Sequence, residues 1–299
     1  MKNNHTPKHF ALQLGSLISL YLSLTFLLVL LFGIINLMFP DATENRYLLE
    51  SASNSVRLGI AMLIVSMPTY LILTRAVNKL RRSEVSDTYL TLTRWLIYLS
   101  LIVGIGALLV DLVVIIKTFL EGEVTDRFIF KAAAVIGVIG VAVHYYIFDA
   151  RGYWLTQESK SIMFAIGAGL VSFTAIGYGF ASIDSPATVR EIKLDHTQIT
   201  DLQNIQWKLQ DLIASSSTLP DTLTELYEPL PVPTAPETRP AYTYQQTATG
   251  FDLCATFSND ALDVQDQFGP KFDAMQPIQN GNDWYYTKGN FCFHRLIKK

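Results

Sequence analysis

Between Leu12 and Ile183 the chain contains five long runs in which apolar side chains follow one another almost without a charge. The hydrocarbon core of a bilayer, about 30 Å thick, is crossed by about 20 residues of α-helix, and inside it each peptide N–H and C=O has to be paired within its own segment. The runs are therefore read as transmembrane helices over about 12–39, 58–77, 95–120, 130–148 and 162–183. The last is rich in Gly and Ser yet carries no charge, so it still qualifies.

Composition supports this reading. Half of the 299 residues are apolar and 16% are charged, well short of the quarter expected of a soluble domain. After Ile183 the pattern becomes that of ordinary soluble protein, which divides the chain into a membrane domain, 1–183, and a soluble domain, 184–299. Lys2 and Lys8 precede the first run, which continues to Phe39, far beyond the 7–15 residues of a secretory signal's apolar region. It is read as a retained signal anchor.

Orientation follows from the basic residues, which accumulate on the cytoplasmic side. One face carries nine: Lys2, Lys8, Arg75, Lys79, Arg81, Arg82, Arg94, Arg151 and Lys160. The other carries five: Arg46, Arg57, Lys117, Arg127 and Lys131. With five spans the N-terminus is cytoplasmic and the C-terminal domain extracytoplasmic. Cys254 and Cys292, the two cysteines of the chain, both fall in that domain, as suits an oxidising compartment.

Four features interrupt the plain apolar character of the spans. Asp111 is read as the only clear carboxylate at membrane depth, where an ionisable group costs a few kcal/mol unless paired or hydrated. His144 is its candidate partner for an ion relay, but the topology puts Asp111 in the outer half of one span and His144 near the inner end of the next. The alternative has Asp111 cementing helix contacts and His144 reaching toward the headgroups. Pro68 should kink the second span, with the Ser66 and Thr69 hydroxyls available for the carbonyl it frees. Ala168, Ser172, Ala175 and Gly179 form a small-residue stripe on the fifth span, suited to packing within the bundle or between copies in a homo-oligomer.

In the soluble domain Ser185-Pro186 opens a helix about seven turns long, with Ile192, Ile199, Leu202, Ile205, Leu209, Leu212 and Ile213 on one face and Lys193, Asp195, Gln203 and Lys208 among the others. A short helix follows, starting at Leu219-Pro220-Asp221 and ending before Pro229; the Pro-rich run from Pro229 to Pro240 reads as an extended loop. Alternation then marks strands through Tyr242 and Tyr244, through Phe251, Leu253, Ala255 and Phe257, and through Phe291 and Phe293. If the last two strands pair antiparallel with Cys254 opposite Cys292, the same register sets Asp252 opposite His294. A structural disulfide is expected in preference to a redox pair, since no CxxC and no basic cluster is present to activate a thiolate.

Two resemblances add to this. Tyr21-Leu22-Ser23-Leu24-Thr25-Phe26, Thr93-Arg94-Trp95-Leu96, Glu121-Gly122-Glu123 and Tyr145-Tyr146-Ile147-Phe148-Asp149-Ala150-Arg151, within about 10–152, resemble an uncharacterised multi-pass membrane family seen largely in ultrasmall candidate-phylum bacteria. That resemblance implies four of the five helices and a bacterial plasma (inner) membrane, with no activity to carry over. Asp201-Leu202-Gln203-Asn204-Ile205-Gln206, Leu219-Pro220, and the stretch from Pro236-Glu237-Thr238-Arg239-Pro240 to Tyr244 are similar to the head of type II secretion pseudopilins and type IV pilins. The resemblance implies an α+β domain in which a long helix packs on a small antiparallel sheet. No processed leader with Phe and a Glu at the fifth position precedes Ile162, so a fixed head on a membrane anchor is expected instead of a polymerising pilin. Some pseudopilins hold calcium in a late loop, which makes Asn259, Asp260, Asp263 and Asp266 calcium candidates; the alternative is a solvated acidic loop.

No HExxH, phosphate-binding glycine loop, dinucleotide fingerprint or GxSxG occurs, and Asp111 and Asp149 lie near opposite membrane faces, where they cannot form an aspartyl dyad. No enzyme and no cofactor is expected. The soluble domain carries nine Lys or Arg against fifteen Asp or Glu, which disfavours nucleic acid. The expectation is a membrane protein that displays a pilin-like head for contacts with envelope, pilus or secretion proteins. A small-solute transporter or channel, and a ligand sensor, are the alternatives.

Overall fold

The computed structural model describes residues 6–40, 46–83, 87–122, 124–216, 218–237, 239–261 and 284–297. They divide into two compact units: one takes in Leu48–Ile183 and the helix before it, the other runs from Asp184 onward.

The first unit is helical: α1 Thr6–Met38, α2 Arg46–Ser83, α3 Asp87–Glu121, α4 Asp126–Ala150, the single turn α5 Tyr153–Thr156, and α6 Glu158–Ala181. All but α5 are long and apolar enough to cross a bilayer. Most outrun the expected spans, α2 above all, because hydropathy marks only the part that needs lipid while the helix continues through polar residues. Thr125 caps α4, its hydroxyl accepting from the Phe128 amide at 3.2 Å, with Asp126 in the first turn.

α1 and α2 approach through a reciprocal notch. A Cβ on Gly33 would stand 2.7 Å from Val56 Cγ2, and one on Gly59 would stand 2.7 Å from Leu30 Cβ. Each helix thus has a gap where its neighbour has a side chain, and Leu30, Val56 and Leu63 are fully buried around it. α3 lies against α4 with Gly104 beneath Val143, and its other faces present Ile102, Phe119 and Leu120 outward, as a lipid-facing helix should.

In the second unit α7, Pro186–Ser216, opens under the Ser185 hydroxyl, which accepts from the Thr188 amide at 3.2 Å. At 31 residues it is longer than the expected seven turns. α8, Leu223–Tyr227, starts later than Leu219, because Thr222 is the residue whose hydroxyl accepts from the amide of Glu225. Three antiparallel strands, β1 Thr243–Thr247, β2 Gly250–Phe257 and β3 Gly289–Leu296, form one sheet in the order β1-β2-β3. Its inner face, with Phe251, Leu253, Ala255, Phe257 and Phe293, closes over Ile192, Leu202, Ile205 and Leu209 of α7 in one core. The β2–β3 register places Cys254 opposite Cys292 and Asp252 opposite His294.

Candidate functional site

The strongest polar feature of the helical unit is a pair that hydropathy did not single out. Arg81 Nη1 on α2 donates to Asp149 Oδ1 on α4 at 2.7 Å, with the two side chains only 5% and 6% exposed. Asn78, one turn before Arg81, offers Oδ1 at 3.5 Å. Beside the pair, Gly152 takes a left-handed turn (φ 70°) that returns the chain and buries Trp154. The Trp154 indole donates to the Tyr145 carbonyl at 3.0 Å and stacks on the Tyr145 ring, and Arg82 donates to the Trp154 carbonyl at 2.9 Å. Arg81, counted above among the orienting basic residues, is therefore a structural cation as well. Nor is Asp111 the only carboxylate that needs explaining: Asp149 is the more deeply buried of the two. Its position at the end of an apolar run concealed this.

Asp111 and His144 are not brought together. Gly104 against Val143 sets the α3/α4 register, which separates their levels by roughly 12 Å at 1.5 Å of rise per residue. Asp111 Oδ2 is shielded and has no hydrogen-bond partner among the described residues, whereas His144 is exposed and packs against Phe148. α2 runs unbroken through Pro68. The Thr69 hydroxyl donates to the Val65 carbonyl at 2.7 Å, one residue beyond the carbonyl that Pro68 frees, and Ser66 Oγ is buried without a partner among the described residues. Of the small-residue stripe, Ser172, Ala175 and Gly179 are buried and Ala168 is half-buried. A Cβ on Gly179 would come within 2.9 Å of Leu30 and 3.1 Å of Ile60, so this stripe faces α1 and α2 of its own chain.

In the second unit Cys254 and Cys292 are disulfide-bonded, Sγ to Sγ 2.09 Å, and His294 Nδ1 meets Asp252 Oδ1 at 2.6 Å on the same sheet face. A polar centre lies at the α7 end of the core. Asp195, assigned above to the polar face, is fully buried. It accepts from the Ser258 amide at 3.0 Å, the Asn259 amide at 3.0 Å and Asn259 Nδ2 at 2.9 Å, and it is paired with Arg239. Arg239 also bonds Gln198, Glu191 (2.7 Å) and Ser258 Oγ (3.0 Å). One guanidinium thereby ties the end of the Pro-rich segment to α7 and to the turn after β2. The spacing did carry this signal, since Asp195 lies three residues after Ile192 and four before Ile199, on the apolar face. Nearby, Tyr242 donates to Asp201 at 2.6 Å, and burial followed by that carboxylate pushes its phenol well above the usual range.

Two of the calcium candidates have protein partners: Asn259 is bonded to Asp195, and Asp260 Oδ1 accepts from the Lys288 amide at 2.7 Å. Asp263 and Asp266 lie outside the described residues. Among the described residues no group of three or more His, Cys, Asp or Glu is placed to hold a metal ion. The outer face of α7 carries an indole, Trp207, 74% exposed, opposite the buried Leu202, Ile205 and Leu209 and without a partner among the described residues.

The family described as Domain of unknown function (DUF5671) matches residues 9–146, which cover most of α1, all of α2 and α3, and α4 up to Tyr146. No curated protein and no solved structure matches the chain.

Proposed function

We propose that this is a non-enzymatic bacterial inner-membrane protein whose five-span domain anchors a pilin-like extracytoplasmic head that makes protein contacts, at a pilus, secretion or other envelope assembly. Support for the pilin-like reading is the packing of one long helix on a small antiparallel sheet, with a late strand stapled to its neighbour. Trp207 carries the functional part of the reading. A soluble helix that seals one face against its own sheet gains nothing for stability by holding an indole in water on the other, whereas Trp is the residue most enriched among the anchors of protein interfaces.

The test is crosslinking in living cells followed by purification of the full chain, a head-deleted chain and Trp207→Ala. Envelope, pilus or secretion proteins should be recovered with the first and lost with the other two. Equal recovery from all three would remove the display reading. The transport reading would replace it if Asp111→Asn altered solute flux while head deletion had no effect. A carboxyl-terminal reporter active only outside the cytoplasm checks the orientation independently.

A further inference from the structure

The helical unit contains a cavity of about 760 Å³ between α2 and α6, and its walls are of two kinds. At one end stand Arg75, Lys79 and Arg82; the remainder is mostly apolar, with Leu71, Ile72, Ile162 and Ile166, interrupted by Thr74, Asn78 and Ser161. Among the described residues the only acid on the wall, Glu158, is held by Arg82 at 2.8 Å, and Arg82 is held further by the Trp154 carbonyl. That leaves two cations in excess. Arg75 and Lys79 are exposed, and among the described residues neither has an ion-pair partner. They sit four residues apart on one face of α2, where like charges repel unless an anion lies between them.

We propose that this cavity binds one anionic diacyl phospholipid, with the headgroup phosphate between Arg75 and Lys79 and an acyl chain along the apolar wall. The observations favour a lipid over a soluble anion. A small phosphate would use the basic end and leave the apolar part of a 760 Å³ space without an occupant, whereas a lipid matches both. Ile72 and Ile166 are 68% and 57% exposed, so the apolar wall opens toward the surrounding acyl chains, and a lipid enters without passing through water. Basic pockets between helices on the cytoplasmic side recognise anionic headgroups, and the positive-inside reading puts this end of α2 on that side. The site is independent of what the head contacts.

The full chain, reconstituted in nanodiscs of phosphatidylcholine doped with phosphatidylglycerol, is released into detergent and the retained lipid is measured by native mass spectrometry. Phosphatidylglycerol should be retained selectively. Arg75→Gln/Lys79→Gln should weaken that retention by about thirtyfold, at about fivefold for each basic residue, while Lys117→Gln should leave it unchanged. Circular dichroism of the double variant confirms that the helices persist, and Arg75→Lys should restore part of the retention. No preference for phosphatidylglycerol in the wild-type chain would overturn the proposal. So would equal losses in Lys117→Gln and the double variant, or displacement of the lipid by millimolar glycerol phosphate, which would mark a soluble-anion site.

Discussion

Arg81 Nη1 and Asp149 Oδ1 meet 2.7 Å apart with both side chains closed to solvent, joining α2 to α4 by charge where the remaining contacts of the helical unit are largely apolar. Removing one partner leaves the other buried and uncompensated, at a cost of about 3–5 kcal/mol, whereas replacing both with apolar side chains of similar volume removes the liability together with the attraction. Asp149→Asn and Arg81→Gln should each lower the thermal midpoint of the detergent-solubilised chain strongly, and Arg81→Met/Asp149→Leu should lie closer to wild type than either. A double variant less stable than both singles would show that the pair is net stabilising.

The head staple makes a second expectation. Cys254 and Cys292 close a span of 38 residues between neighbouring strands. Cys254→Ser/Cys292→Ser should lower the head's stability by about 2–4 kcal/mol in the chain-entropy view. Pulse proteolysis of the intact chain across a urea series measures this, and an unchanged midpoint would assign the stability to the core alone.

Arg239 should resist even conservative replacement. Its fork bonds Asp195, Gln198, Glu191 and Ser258 at once, and Lys presents one ammonium in place of that planar array. Arg239→Lys should destabilise the head nearly as much as Arg239→Ala, on the order of 3 kcal/mol since Asp195 is left buried without its partner. Recovery of wild-type stability by Lys would reduce the centre to a simple charge pair.

The alkaline limit of the head follows from Tyr242. Its folded phenol ionises at higher pH than the unfolded one because burial and Asp201 oppose the anion. Its contribution is therefore complete below the ordinary tyrosine value near 10 and is lost as pH rises above it. Tyr227 and Tyr244 are shifted in the same direction, each mainly by burial, so Tyr242→Phe should flatten the loss of stability above pH 10 without abolishing it. Unfolding midpoints between pH 8 and pH 11.5 decide it, and identical slopes for the two chains would exclude Tyr242 as the source.

Which of these features could be read from the sequence depended on whether one residue or several determined them. The spans were legible because lipid penalises each polar group separately, so a run of apolar residues carries its own meaning. The strand register was legible because alternation has period two, and pairing Cys254 with Cys292 also fixes Asp252 against His294. Arg81–Asp149 was hidden because each residue, taken singly, resembles a loop-end charge; only the fold shows that they share one sealed space. Asp195 was missed for a different reason. An aspartate's side-chain type points to solvent, whereas its spacing from Ile192 and Ile199 points to the core.

Gly33 receiving Val56, and Gly59 receiving Leu30, make α1 and α2 behave as a keyed joint. Axial sliding by one residue would drive each side chain out of its recess and into a backbone, so piston strokes between these two helices are blocked. A message passed along this helical unit has to travel by tilting the pair as one body or by moving α3, whose outward faces, with Ile102, Phe119 and Leu120, are apolar and exposed.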